Sequence, residues 1–217
     1  MYERAYSYIL AAGLALAAAT ASAEVDLEAA EKLNTEVCAA CHGAKGVSSV
    51  AEWPSHAGQH ADYIRHQLEL FRDENRYDPQ NLMTSNAVGL SDQDIRNIAA
   101  WLAQQEPPKP AEGVDPALAE QGERIYYAGI PEEGVAACTA CHGPNGEGIQ
   151  GAQFPRVAAQ QQTYLVNSLK AFKSRERKSD RNAMMRDIAG RMSAEQIEAV
   201  SAYMSTLGGE PQVAQKQ

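Results

Sequence analysis

A surplus of basic side chains is missing from this sequence: 19 Lys and Arg stand against 28 Asp and Glu, a net charge of −9 at pH 7. Gripping a phosphate backbone requires a cationic footprint, so the composition argues against nucleic-acid binding. Large aromatics are scarce as well, with three Phe and two Trp. Hydrophobic residues form 44% of the chain, but alanine supplies much of that share. Small domains with so little bulk have thin cores, and such domains often need a staple or a cofactor. No stretch alternates polar and apolar residues like a half-buried strand, so the expected class is all-α. Past residue 23 no apolar run is long enough to cross a bilayer.

What is present begins with a targeting pattern. MYER carries one basic side chain, YSYILAAGLALAAATA is apolar, and Ala21-Ser22-Ala23 precedes Glu24. This order marks a secretory signal over residues 1–23, cleaved after Ala23. The alternative is an uncleaved anchor, but about 16 apolar residues fall short of the roughly 20 that span a bilayer.

The remainder repeats itself. CAACHG and CTACHG begin 100 residues apart, at Cys38 and Cys138. WPSHAGQHADYIRHQLELF at 53–71 matches FPRVAAQQQTYLVNSLKAF at 154–172, and Met83 with LSDQDI matches Met185 with MSAEQI. A duplicated domain explains a register this steady. QQEPPKPAEGVDP joins the copies, and its prolines make a stiff linker. The expected organisation is a first domain at 24–106, a linker at 107–116, a second domain at 117–210 and a polar tail at 211–217. Apolar residues recur at helical spacing in both copies, as in Ile64, Leu68, Phe71 and Leu165, Leu169, Phe172. Ser91 with Asp94, and Ser193 with Gln196, read as capping boxes.

The chemistry resides in the two Cys-x-x-Cys-His motifs. Cys38 and Cys41, and again Cys138 and Cys141, have the spacing that bonds two thiols to one edge of a porphyrin. The adjoining His42 and His142 then become proximal iron ligands. The motif is short, but two copies at repeat-related sites behind an export signal are specific. Against this stand two disulfides, a thioredoxin-like redox pair, a zinc site and an iron–sulfur cluster. The repeat disfavours them: a helix rather than a strand precedes each pair, and His142 is the only histidine of the second copy. The expected cofactors are therefore two covalently bound haem c groups.

A sixth iron ligand must come from farther along. Met83 is the only methionine of the first copy, and its repeat partner is Met185. A thioether opposite histidine favours ferrous iron and raises the potential. Met184 adjoins Met185, but counting back eight residues from Ser91 and Ser193 selects Met83 and Met185. Bis-histidine ligation in the first copy stays open, through His56, His60 or His66. Their counterparts Val157, Gln161 and Asn167 do not ligate haem iron in this pattern, so symmetry expects these histidines at the surface or an edge. Trp53, Leu68, Phe71, Phe154, Leu169 and Phe172 are expected as haem walls, although core packing alone would also explain them. Pro54 and Pro155 are expected to offer backbone carbonyls to the free nitrogens of His42 and His142.

With these motifs, the PxxAGQ-like segments and NAMMRDIAGRMSAEQIEAV, the chain resembles the dihaem cytochromes c4 over essentially its whole mature length. The resemblance implies two tandem class I cytochrome c domains packed with pseudo-twofold symmetry. It implies a periplasmic carrier of single electrons, not an enzyme. It also implies partners: a bc1-type complex as donor and a terminal oxidase of the cbb3 type as acceptor, with at most peripheral association with the inner membrane through them. His56 departs from the family, which has an aliphatic residue there. Two other readings stand beside this one. The first is an electron-accepting partner or subunit of a periplasmic dehydrogenase acting on sulfide or thiosulfate. The second is a dihaem peroxidase-like enzyme, which would need an open iron position. Filled axial positions favour outer-sphere transfer. Charge is unevenly shared: residues 24–106 hold 6 Lys/Arg against 14 Asp/Glu, whereas residues 117–217 hold 11 of each. Lys170, Lys173, Arg175, Arg177, Lys178 and Arg181 gather in one stretch, which raises the expectation of different partners at the two ends.

Overall fold

The computed structural model describes residues 24–208, so the expected signal at 1–23 and the tail at 211–217 lie outside the described residues. Among the described residues ten α-helices form two sets of five. In the first set α1 is Leu27–Leu33, α2 Ala39–His42, α3 Ala61–Arg72, α4 Leu82–Ala87 and α5 Asp92–Ala103. In the second α6 is Pro116–Ala128, α7 Thr139–His142, α8 Gln162–Lys173, α9 Met184–Arg191 and α10 Ala194–Thr206. Among the described residues the only extended pairings are two isolated bridges, Ile130 with Val135 and Ile149 with Phe154.

Local sequence explains the ends. Ser91 and Ser193 each accept from the backbone N–H three residues on, and Asp94 and Gln196 reach back to the serine N–H. Both capping boxes therefore form, satisfying donors that a helix start leaves free. Asp26 and Asp115 cap α1 and α6, with Pro116 at the first helical position. α2 and α7 stop at Gly43 and Gly143, whose φ of +79° and +74° a side chain would resist.

In each set the first helix lies against the last: α1 against α5, and α6 against α10. The second core contains Ile125, Tyr126, Leu165, Leu169, Phe172, Met192, Ile197 and Val200. The first core is smaller: Ala30, Ile64, Ile98, Ala99, Trp101 and Leu102. The copies also differ before the haem motif. α1 runs through a π-helical turn, Asn34–Cys38, directly into α2, whereas a short loop with a 3₁₀ turn at Pro131–Glu133 separates α6 from α7. The linker touches both halves. Pro107 lies against Gly58, and the Ala111 N–H donates to the Ser205 carbonyl at 2.8 Å.

Gly122 sits where α6 meets α10. A Cβ there would stand 2.0 Å from the Ala199 carbonyl oxygen and 2.8 Å from the Tyr203 Cβ. Gly122→Ala is expected to force these helices apart and destabilise the second half by about 1–3 kcal/mol. Thermal unfolding of the holoprotein checks this; an unchanged or higher Tm would show that the crossing is looser than described.

Candidate haem sites and the interface between them

The Cys-x-x-Cys-His motifs form short helices, which turn His42 and His142 inward, 7% and 8% exposed. Each Nδ1 lies 2.9 Å from a prolyl carbonyl, Pro54 for His42 and Pro155 for His142. A carbonyl only accepts, so Nδ1 carries the hydrogen and Nε2 keeps the lone pair that a metal requires. Burial lowers the pKa of both rings, opposed by the prolyl hydrogen bond; at His42 the charge of Arg76 adds to burial. Both imidazoles are thus held neutral.

All four cysteines are unpaired and partly buried, so the described fold contains no disulfide at these motifs. Burial pushes the Cys138 thiol up to about 12 and raises Cys38 as well. A thioredoxin-like pair needs the opposite shift, because its nucleophile is the thiolate.

Met83 and Met185 each occupy the second position of a short helix, α4 and α9. A turn lies just before each of these helices. Asn81, with φ of 53°, and Ala183, with φ of 60°, reverse the chain into these helices. Asp78 and Asp180 then anchor them, accepting from the Thr84 N–H at 2.8 Å and the Arg186 N–H at 3.0 Å. In this register Met185, not Met184, is the structural counterpart of Met83. Met185 also packs against the second core together with Cys138.

The expected wall residues are distributed unevenly. Phe71, Leu169 and Phe172 are buried, while Trp53, Leu68 and Phe154 are half-buried. Arg76 lies over the Phe71 ring at 4.3 Å and Arg177 over Phe172 at 4.4 Å. His56 differs from its expected surface or edge position: its ring stands 4.4 Å from that of His42. Burial, then the charges of His42 and Arg76, hold its pKa well below the usual value. His60 and His66 are half-buried.

Between the halves the repeat becomes a pseudo-twofold contact. Arg76 donates to the Tyr164 hydroxyl at 3.1 Å, and Arg177 donates to the Tyr63 hydroxyl at 3.0 Å. Among the described residues neither guanidinium has a carboxylate partner, and the buried Arg76 Nε has no hydrogen-bond partner. Burial and the charge of Arg177 lower the Arg76 pKa; at Arg177 burial is outweighed by Tyr63 and Tyr164, and the shift is upward. Two inward cations without anions are costly. They suit a cofactor that brings its own carboxylates, as haem does with its propionates. The oriented imidazoles, paired thiols and uncompensated guanidiniums therefore fit covalent haem.

The Cytochrome c family profile matches residues 27–106 and again 119–208. The chain is 44% identical over 183 residues to cytochrome c4 of Thiocapsa roseopersicina, covering 84% of this chain and 93% of that one. The chain belongs to the cytochrome c family, among the cytochromes c4. The structure of reduced cytochrome c4 from Pseudomonas stutzeri superposes with a TM-score of 0.78 at 35% identity, over 85% of this chain and 100% of that one. Similarity extends to the thiosulfate dehydrogenase electron acceptor of Stutzerimonas stutzeri, 39% identical over 173 residues and covering 79% of each chain.

As a cytochrome c4, the protein has two tandem cytochrome c domains and two covalently bound haem c groups, and it transfers electrons. Several of its site residues escaped the sequence reading. Arg76 and Arg177, Gln59 and Gln160, and Asp78 and Asp180 are repeat pairs at offsets of 101 or 102, the same drift that aligned the methionines. The basic stretch of the second half also reads differently in three dimensions. Arg177 is buried in the interface, Lys170 pairs with Glu198 at 2.9 Å, and Lys173 donates to the Met192 carbonyl at 2.6 Å. Arg175, Lys178 and Arg181 remain exposed.

Met185→Ala is expected to leave two haems per chain in a pyridine haemochrome assay but to let the reduced protein bind carbon monoxide at one of them. Met184→Ala is expected to leave carbon monoxide excluded. The reverse pattern would move the ligand to Met184.

Proposed function

We propose that this cytochrome is a periplasmic shuttle of single electrons, passing them from a bc1-type complex to a terminal oxidase of the cbb3 type. Cys38, Cys41, Cys138 and Cys141 would hold the haems; His42 with Met83, and His142 with Met185, would ligate the irons. Bound haem supplies a reversible one-electron couple. The chain's residues do the rest. Pro54 and Pro155 hold the imidazoles by hydrogen bonds, the methionines would supply the second ligand to each iron, and the buried Phe71 and Phe172 would keep water away. Arg76 and Arg177 place positive charge at the boundary between the domains, where it would balance acidic groups of the cofactors. The observation that carries this reading is the repetition of one complete site, from thiols to oriented imidazole to helix-borne methionine, in both halves.

The proposed domain limits follow the repeat: 24–106 and 117–210, joined by 107–116. Export through a signal at 1–23 supports the periplasmic location. No helix among the described residues is long and apolar enough to cross a membrane.

Likeness to a thiosulfate dehydrogenase electron acceptor favours a second reading, in which a periplasmic dehydrogenase is the donor. That reading keeps every haem assignment and changes only the source of electrons. Residues 24–106 hold 14 acidic against 6 basic side chains, and this acidic half would dock a basic donor.

A redox titration is expected to give two one-electron waves, with carbon monoxide excluded from both reduced haems. Binding of carbon monoxide to the unaltered protein would favour the peroxidase-like enzyme instead. Stopped-flow reduction by a purified bc1-type complex is expected to outpace reduction by thiosulfate dehydrogenase and to slow as salt rises. Faster reduction by the dehydrogenase would exchange the two readings.

A further inference from the structure

Two glutamines cross the interface in a reciprocal pattern. Gln160, buried in the second half, accepts from the Ser55 N–H at 2.9 Å and donates to the Ser55 carbonyl at 2.8 Å. Gln59, buried in the first half, accepts from the Arg156 N–H at 2.9 Å and donates to the Arg156 carbonyl at 2.9 Å. Each glutamine thus grips both backbone groups of one residue in the other domain.

The gripped residues are informative. Ser55 follows Pro54, and Arg156 follows Pro155. The Ser55 N–H and the Pro54 carbonyl therefore belong to one peptide unit, as do the Arg156 N–H and the Pro155 carbonyl. A peptide unit is planar, so holding its N–H fixes the direction of its carbonyl. Those two carbonyls are the acceptors for Nδ1 of His42 and His142. Coupling also runs through charge. A hydrogen bond at the N–H polarises the peptide and strengthens its carbonyl as an acceptor. A stronger acceptor makes the imidazole a better donor to iron and favours the ferric state.

We propose that Gln59 and Gln160 are positioning residues that act in trans, each setting the orientation and basicity of the proximal histidine in the opposite domain. The inference rests on the haem reading above. Its consequence is that neither haem's potential is a property of its own domain. Each domain contributes one side chain to the other's site, through the chain Gln160–Pro54/Ser55 peptide–His42 and its mate Gln59–Pro155/Arg156 peptide–His142. Other contacts between the halves grip loops elsewhere. Gln161 donates to the Ser48 carbonyl at 2.7 Å, and the Tyr164 N–H donates to the Ala51 carbonyl at 3.1 Å. Neither touches the two proline peptides, so Gln161 serves as a control for general loosening of the interface.

The test uses the full dihaem protein. In the diamagnetic ferrous state, NMR of the histidine ring Nδ1–H groups reads each site separately. Gln160→Met is expected to shift the His42 Nδ1–H signal, to speed its exchange with solvent severalfold, and to leave His142 in place. Gln59→Met is expected to do the same at His142 and to spare His42. In redox titrations the two variants should raise the midpoints of different waves. Gln161→Met should change neither histidine. A response in the variant's own domain, an equal response at both histidines, or none at either would overturn the proposal. If Gln160→Met does not accumulate as a dihaem protein, Gln160→Asn, too short to span both Ser55 groups, is read against the same crossed pattern. A haemochrome assay that finds no covalent haem in the unaltered protein would overturn the haem reading itself; two haems without the crossed response would overturn only this inference.

Discussion

The hydrogen bond between histidine Nδ1 and a prolyl carbonyl ties together parts of the chain that otherwise have little reason to meet. At one end is the short helix that carries two thiols and an imidazole. At the other is an irregular loop with little secondary structure to hold it. The bond fixes the tautomer of His42 and His142, and the tautomer leaves the Nε2 lone pair free for a metal. The loop must in turn be held, or the bond would wander. That support comes from the neighbouring domain, through glutamines that bind the same peptide units.

This dependence explains why two small domains remain paired. Each core is modest, and the first is the smaller. The interface is polar: tyrosine hydroxyls, glutamine amides and backbone groups satisfy one another across a pseudo-twofold axis. Its cations are the unusual feature. Arg76 and Arg177 face tyrosines rather than carboxylates. Unneutralised charge at a protein boundary is unfavourable unless something anionic completes it. A cofactor with carboxylate side chains would complete it, and folding, haem attachment and domain pairing would then share one electrostatic requirement.

The duplication also shows how copies diverge without losing the site. The second half has a loop between its first helix and its haem motif, while the first half joins them through a wide helical turn. His56 rests against the ring of His42. The second half has Val157 at that position. The two imidazoles therefore sit in unlike surroundings although their hydrogen bonds are the same, which would give two haems ligated by them unequal potentials.

Much of this was legible in the sequence because it depends on spacing. Two thiols three positions apart, a histidine beside them, a methionine at a constant distance before a helix cap and a hundred-residue repeat are linear facts. They determine cofactor, copy number and helical class. The prolyl acceptors were also within reach, because a proline recurs 12 residues after His42 and 13 after His142. What spacing did not reveal was direction. Arg177 reads as one more charge in a basic run, yet it is buried against Tyr63; His56 reads as an edge residue, yet it lies on the proximal ring. Gln59 and Gln160 bind locally only to the N–H of the next residue, which does not mark them, and their partners in the other domain lie more than 90 residues away. Sequence determined which groups the protein carries, because covalent chemistry follows order along the chain. The tertiary structure alone decided which domain supports which haem, because hydrogen bonds follow proximity in space.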